Sequence, residues 1–156
     1  MTDGLGFFEL LQLAEELGSE LSMAVQDGQH SGPGGHFTLD ADYPPLLQDA
    51  QDLLEFASGS AESSTWGKQR AAMGHPAPFR LRKVEVGNEE TDEPTGSYAK
   101  HFRMLTEAMW RQDPSLQVMA SGRWGRRKYW SRFNANPCLV SADAFLPVSA
   151  LLISLT

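Results

Sequence analysis

Apolar residues with helical spacing and residues typical of strands alternate along the first 120 residues of this chain. Residues spaced as on one face of a helix recur in three long segments and a shorter one: Phe7–Leu17, Leu46–Ala57, Trp66–Met73 and Tyr98–Met109. Apolar residues that suit short strands lie between them, in Leu21–Val25, Leu81–Val86 and Leu116–Ala120. Parallel strands need a crossover connection, so this order predicts an α/β fold with a parallel sheet. Gln29–Asp42 is predicted to be a loop.

Charge divides the chain into two parts. Met1–Gly122 carries eight basic and 19 acidic residues, whereas Arg123–Thr156 carries five basic residues and one acidic residue. The overall acidic balance gives no electrostatic reason to expect a nucleic-acid partner.

No apolar run has the roughly 18 to 20 residues that a membrane span needs, and the residues after Met1 do not resemble a signal peptide. The single cysteine, Cys138, excludes an internal disulfide.

Polar residues follow each predicted strand, where sites gather in parallel α/β folds. The three groups are Gln26, Asp27 and His30; Asn88, Glu89 and Glu90; and Ser121, Arg123 and Trp124. In the second group, Gly87 would let the backbone bend, Glu89 could act as a general acid in partly apolar surroundings, and Asn88 could bind a substrate hydroxyl. The alternative is that Glu89–Glu93 forms a solvated acidic loop.

Other side chains offer weaker hypotheses. His30 and His36 share a glycine-rich segment with two aspartates, which suits either a metal site or, more commonly, surface residues. His75 precedes a strand and is expected to be structural, and His101 is expected to be in packing or at the surface. The basic, aromatic segment Arg123–Arg132 could bind nucleic acid or an anionic surface, although five basic residues are a weak basis for either. We expect no metal at the site.

Three sequence blocks, in this order, resemble the α-L-arabinofuranosidases of glycoside hydrolase family 51, in particular the plant- and fungus-like branch. The first is Asp3–Gly18, the second is Leu54–Ala57 followed by Trp66–Phe79, and the third is Val84–Glu89 with its Gly-Asn-Glu ending. The resemblance covers about Asp3–Gly125. Where the family usually has asparagines followed by a glycine after the third strand, this chain reads Gln26-Asp27-Gly28, so sugar contacts are not expected from this position on the resemblance alone.

The resemblance implies part of a (β/α)8 TIM barrel, about strands three to five, in residues 1–125. Residues 126–156 are expected to be an irregular, unassigned tail that is not related to the family. The resemblance also implies that Glu89 is the acid/base and that Asn88 contacts the sugar, without a cofactor. The substrates would be polysaccharides or oligosaccharides that carry terminal α-L-arabinofuranosyl groups.

A retaining mechanism also needs a nucleophilic carboxylate, and the family's nucleophile segment has no counterpart in the sequence. Asp143 is the only acid after Asp113, and its neighbours do not resemble that segment. We therefore expect a fragment of a glycosidase, with little or no activity in isolation. The alternatives are a non-catalytic carbohydrate-binding remnant and an interaction protein that pairs its exposed sheet edges; the sequence leaves the oligomeric state open. The sequence leaves the location of the chain open; enzymes of the resembled type are often secreted, so the resemblance is compatible with an extracellular parent enzyme.

Overall fold

The structure is a computed structural model, and it describes residues 4–30, 36–87, 97–120 and 139–141. Its elements follow the predicted alternation of helices and strands closely. The helices are α1 Phe7–Glu16, α2 Pro44–Ser58, α3 Thr65–Ala72 and α4 Ser97–Gln112. The strands are β1 Ser22–Val25, β2 Gln29–His30, β3 His36–Phe37, β4 Lys83–Val86, β5 Gln117–Ala120 and β6 Leu139–Ser141.

A four-stranded sheet with the order β1-β4-β5-β6 organises the described residues, and each neighbouring pair is parallel. Val25 lies beside Val86, and Val86 lies beside Ala120. The last residues of three strands are therefore aligned at one edge, where side chains from separate parts of the chain can meet. The prediction of an α/β fold with a parallel sheet is confirmed.

Local sequence accounts for the helix boundaries. Pro44 and Pro45 open α2, where their fixed φ suits the first helical turn. The backbone N–H of Gly59 closes α2 with a hydrogen bond to the carbonyl of Glu55 at 2.7 Å. Ser64 caps α3, since its hydroxyl accepts the N–H of Gly67 at 3.0 Å.

The apolar faces of the helices and strands meet in one core. Helix α2 packs against both α3 and α4. The apolar side chains of this core come from α1, α2 and α4 and from β1, β4 and β5; among them are Phe8, Leu11, Val25, Leu54, Val84, Val86, Phe102, Leu105, Met109 and Val118, with Leu116 just before β5. Removal of this much apolar surface from water is the main force that holds the helices on the sheet.

The structure corrects two expectations. The predicted loop Gln29–Asp42 contains the antiparallel pair β2–β3 and a 3-10 helix at Asp40–Asp42. The tail predicted to be irregular contains β6, which pairs with β5. Strands of two or three residues are too short to produce the alternating pattern by which strands are recognised, so periodicity missed both.

Candidate functional site

The chain leaves β4 at the carboxyl edge of the sheet. Val86, the last residue of β4, is fully buried, and Gly87 follows with a φ of +82°. Residues other than glycine rarely adopt this backbone conformation, which explains why a glycine follows β4. The N–H of Gly87 donates to the carbonyl of Val25 in β1 at 2.9 Å. The predicted site residues Asn88 and Glu89 follow Gly87 directly in the sequence and lie outside the described residues.

Asp27 occupies the corresponding position just after β1. It is 3% exposed, and its Oδ1 accepts the N–H of Gln29 at 3.1 Å. Burial raises the pKa of Asp27 above its usual value, because the charged form loses its hydration. Its Oδ2 is buried and has no hydrogen-bond partner among the residues that the structure describes. Gln26 and His30 were predicted to lie at the same strand end. Gln26 is exposed, and of His30 the structure describes the backbone only.

A stacked pair of rings lies beside Asp27. The rings of Tyr43 and His101 are 3.8 Å apart and nearly parallel, and both side chains are buried. Nδ1 of His101 lies 2.9 Å from the carbonyl oxygen of Asp27. A carbonyl oxygen can only accept, so Nδ1 is the donor. Burial, with a smaller contribution from Asp27, raises the pKa of Tyr43 above its usual range.

The first turn of α4 also reaches the end of β4. The hydroxyl of Tyr98 donates to the carbonyl oxygen of Val86 at 3.0 Å in a buried hydrogen bond. The two residues that precede Asn88 are therefore each held by one hydrogen bond: the carbonyl of Val86 accepts from α4, and the N–H of Gly87 donates to β1. Sequence reasoning treated Tyr98 as a core residue of a helix and missed this contact, because nothing local to either position indicates it.

The remaining sequence candidates separate into three groups. His75 is structural, as expected: its Nε2 lies 2.8 Å from Oε2 of Glu15, and its ring stacks on Phe79. His101 is a packing residue. Ser121, Arg123, Trp124, Cys138 and Asp143 lie outside the described residues.

In the described part of the chain, no three His, Cys, Asp or Glu side chains are placed to hold a metal ion. None of the helices there is long and apolar enough to cross a membrane.

Comparison with known proteins identifies a family that covers most of the chain. The sequence model of the Alpha-L-arabinofuranosidase 1 domain matches residues 1–145. Alpha-L-arabinofuranosidase 2 of Arabidopsis thaliana is 40% identical over 122 residues, which are 76% of this chain and 17% of that protein. The extracellular exo-alpha-L-arabinofuranosidase of Streptomyces chartreusis is 39% identical over 122 residues, 76% of this chain and 14% of that protein. The chain thus spans less than a fifth of the length of these relatives.

Solved structures agree with the sequence comparison. An arabinose-bound GH51 α-L-arabinofuranosidase shares 37% identity and superposes with a TM-score of 0.71, over 81% of this chain and 20% of that one. The α-L-arabinofuranosidase from Thermotoga maritima shares the fold: it is 23% identical, with a TM-score of 0.61 over 78% of this chain and 23% of that one.

The match of the family's sequence model also extends beyond Gly125 and includes β6. The domain boundary near residue 125 itself stays a prediction.

Proposed function

Because the chain belongs to the alpha-L-arabinofuranosidase family, we propose that it supplies the acid/base of a retaining glycoside hydrolase. The proposed substrates are polysaccharides or oligosaccharides with terminal α-L-arabinofuranosyl groups. Glu89 is the proposed acid/base and Asn88 the proposed contact to the sugar. The arabinose bound in a structural relative supports this class of substrate.

The proposed mechanism assigns two successive roles to Glu89. In the first step its carboxyl group gives a proton to the glycosidic oxygen, while a second carboxylate attacks the sugar and forms a covalent intermediate. In the second step Glu89, now ionised, takes a proton from the water that releases the sugar. The two carboxyl groups would stand about 5 to 5.5 Å apart in such a site. We propose that the second carboxylate comes from a later strand of the parent enzyme.

The proposed setting is part of a (β/α)8 barrel. In this proposal β1, β4 and β5 are about the third, fourth and fifth barrel strands. Their parallel pairing supports the assignment, because barrel strands are all parallel. Sites of such barrels lie at the carboxyl ends of the strands. The observation that carries the proposal is that β4 delivers the chain to this edge at Gly87, immediately before Asn88 and Glu89.

The relative from Streptomyces chartreusis also bears on location. It is described as an extracellular enzyme. We propose that the parent of this chain acts outside the cell as well.

A chimera tests the role of Glu89. Residues 4–120 of this chain would replace the corresponding segment of the Streptomyces chartreusis enzyme, and hydrolysis of aryl α-L-arabinofuranosides would be measured. We expect Glu89→Gln to lower kcat by roughly 10²- to 10⁴-fold for a poor leaving group, because its departure needs a proton. For a dinitrophenyl substrate, the rate of the first step should fall much less, because dinitrophenolate leaves without a proton. Azide should restore the second step, because this anion attacks the covalent intermediate without help from a general base.

The matched control is Glu90→Gln, which removes the next carboxylate of the same acidic run. Its activity should stay close to that of the parent chimera. Equal losses for the two variants, or a Glu89→Gln loss that is the same for both leaving groups, would contradict the assignment. A folded chimera that binds an arabinose-containing oligosaccharide in calorimetry without hydrolysing it would favour the non-catalytic alternative.

A further inference from the structure

A buried side-chain hydrogen bond joins the residues on either side of the segment that carries Asn88 and Glu89. That segment, residues 88–96, begins after Gly87 and ends before Ser97. The hydroxyl of Tyr98 in α4 donates to the carbonyl oxygen of Val86 in β4 at 3.0 Å. Tyr98 is 2% exposed and Val86 is fully buried, so water does not compete for this carbonyl from solvent. The bond fixes where the chain leaves β4 relative to where it enters α4.

The next residue is held from the opposite side. The N–H of Gly87 donates to the carbonyl oxygen of Val25 at 2.9 Å, which ties the turn to β1. The carbonyl of Val86 and the N–H of Gly87 belong to the same peptide unit. Tyr98 and β1 therefore hold the two polar groups of one peptide plane, and this plane sets the direction in which the backbone continues toward Asn88.

We propose that Tyr98 is a positioning residue for the acid/base, acting through the Val86–Gly87 peptide rather than by contact with substrate. This proposal rests on the proposed function of Glu89. The physical reason is geometric: a rotation of this peptide plane changes the direction in which the chain continues after Gly87. Misplacement of a catalytic group by about 1 Å can reduce the rate of an enzyme about 10²-fold. A buried donor on a packed helix is a rigid means of preventing that rotation.

Tyr43 provides a matched control. It is a second fully buried tyrosine at the same edge of the sheet, but its hydroxyl has no hydrogen-bond partner within the described residues. Tyr98→Phe and Tyr43→Phe each remove one buried hydroxyl and keep the ring. Only the first of these two substitutions removes a hydrogen bond to the Val86–Gly87 peptide.

Amide hydrogen exchange of the purified chain tests the first step of the proposal. We expect Tyr98→Phe to reduce protection of the Gly87 amide about three- to tenfold, which corresponds to the net strength of one hydrogen bond. Tyr43→Phe should leave that amide unchanged. The measurement needs no substrate, so it decides the hydrogen-bond argument even if the chimera contradicts the catalytic role of Glu89.

Titration of Glu89 tests the second step. With ¹³C-labelled glutamate, the carboxyl signal of Glu89 is identified by its loss in Glu89→Gln and followed against pH. Tyr98→Phe should move the titration midpoint of Glu89 while that of Glu107, near the end of α4, stays fixed. Tyr43→Phe should move neither. A merely structural tyrosine would change stability without a selective effect on Glu89.

The outcomes are decisive in both directions. Loss of Gly87 protection together with a shifted Glu89 midpoint supports positioning. Unchanged protection, or lost protection with an unmoved Glu89 midpoint, overturns it. If Tyr98→Phe fails to fold, 3,5-difluorotyrosine at position 98 keeps the shape and is a stronger donor. It should then increase protection of Gly87 and move the Glu89 midpoint, and the absence of both effects would overturn the proposal.

Discussion

Burial determines the chemistry of Asp27 at the end of β1. Its side chain is almost fully enclosed, and its Oδ1 is satisfied by the N–H of Gln29. Enclosure raises the pKa of this carboxyl above the usual 3.8, so the folded chain holds the proton more tightly than the unfolded chain does. The stabilising contribution of the protonated form is complete below the usual pKa and is lost as pH rises through the folded-state pKa.

Asp27→Asn should therefore become more favourable as pH rises. Asparagine keeps an oxygen that can accept the Gln29 N–H and cannot ionise. We expect the free energy of unfolding of Asp27→Asn, relative to the unchanged chain, to increase from pH 4 to pH 7 in urea titrations. Asp49→Asn, which removes an exposed carboxylate from α2, is the control. A difference between Asp27→Asn and the unchanged chain that is constant with pH would contradict the prediction.

At the scale of the elements, Arg70 links two helices to the segment that leads into β4. It is fully buried, and its guanidinium donates to five backbone carbonyls: those of Phe56, Ala57, Gly59, His75 and Pro76. These carbonyls lie at the end of α2 and in the turn after α3, so one side chain satisfies the ends of both helices. Burial lowers the pKa of Arg70. The sequence shows only an arginine in a helix, and nothing local to it predicts this burial.

Arg70→Lys should destabilise the chain although it keeps the charge. An ammonium group has three donors and lacks the planar fork, so buried carbonyls would lose their partners. We expect a loss of about 2–3 kcal/mol in the free energy of unfolding, measured by urea denaturation. Arg80→Lys, at an exposed position, should change stability by less than about 0.5 kcal/mol. Equal effects at the two positions would show that the carbonyl contacts of Arg70 are not important for stability.

At the scale of the whole molecule, β1 stands at one edge of the described sheet. Beside it, Ala24, Val25 and Gln26 form a groove with residues of α2, namely Leu46, Asp49, Ala50 and Leu53. An open edge presents unpaired backbone groups and uncovered apolar surface, whereas a closed barrel has no edges. This arrangement supports the proposal that further strands complete the site in the parent enzyme.

The purified chain should accordingly show no measurable turnover of an aryl α-L-arabinofuranoside. Proton donation by Glu89 alone cannot replace the second carboxylate that a retaining mechanism requires. The comparison is a kinetic assay of the chain beside the chimera, under the same conditions. Turnover by the isolated chain that disappears in Glu89→Gln would refute this expectation and would place a nucleophile within these 156 residues.

Sequence alone determined the class of fold, because helix and strand spacing are local properties of the chain. The stripe that includes Tyr98, Phe102 and Leu105 predicted α4, and Val84 and Val86 marked β4. The same local pattern predicted that Gly87 follows the end of a strand. The assignment of Glu89 as the acid/base came from the resemblance of the sequence to a known family, and it remains a proposal.

Only the tertiary structure decided which distant residues meet. Asp27 and His101 are 74 positions apart in sequence and are in contact, and Arg70 finds carbonyls in two separate turns. The hydroxyl of Tyr98 reaches Val86 because α4 packs its first turn on the end of β4. Such contacts arise from packing a hydrophobic face against a sheet, which fixes separations that no local periodicity encodes.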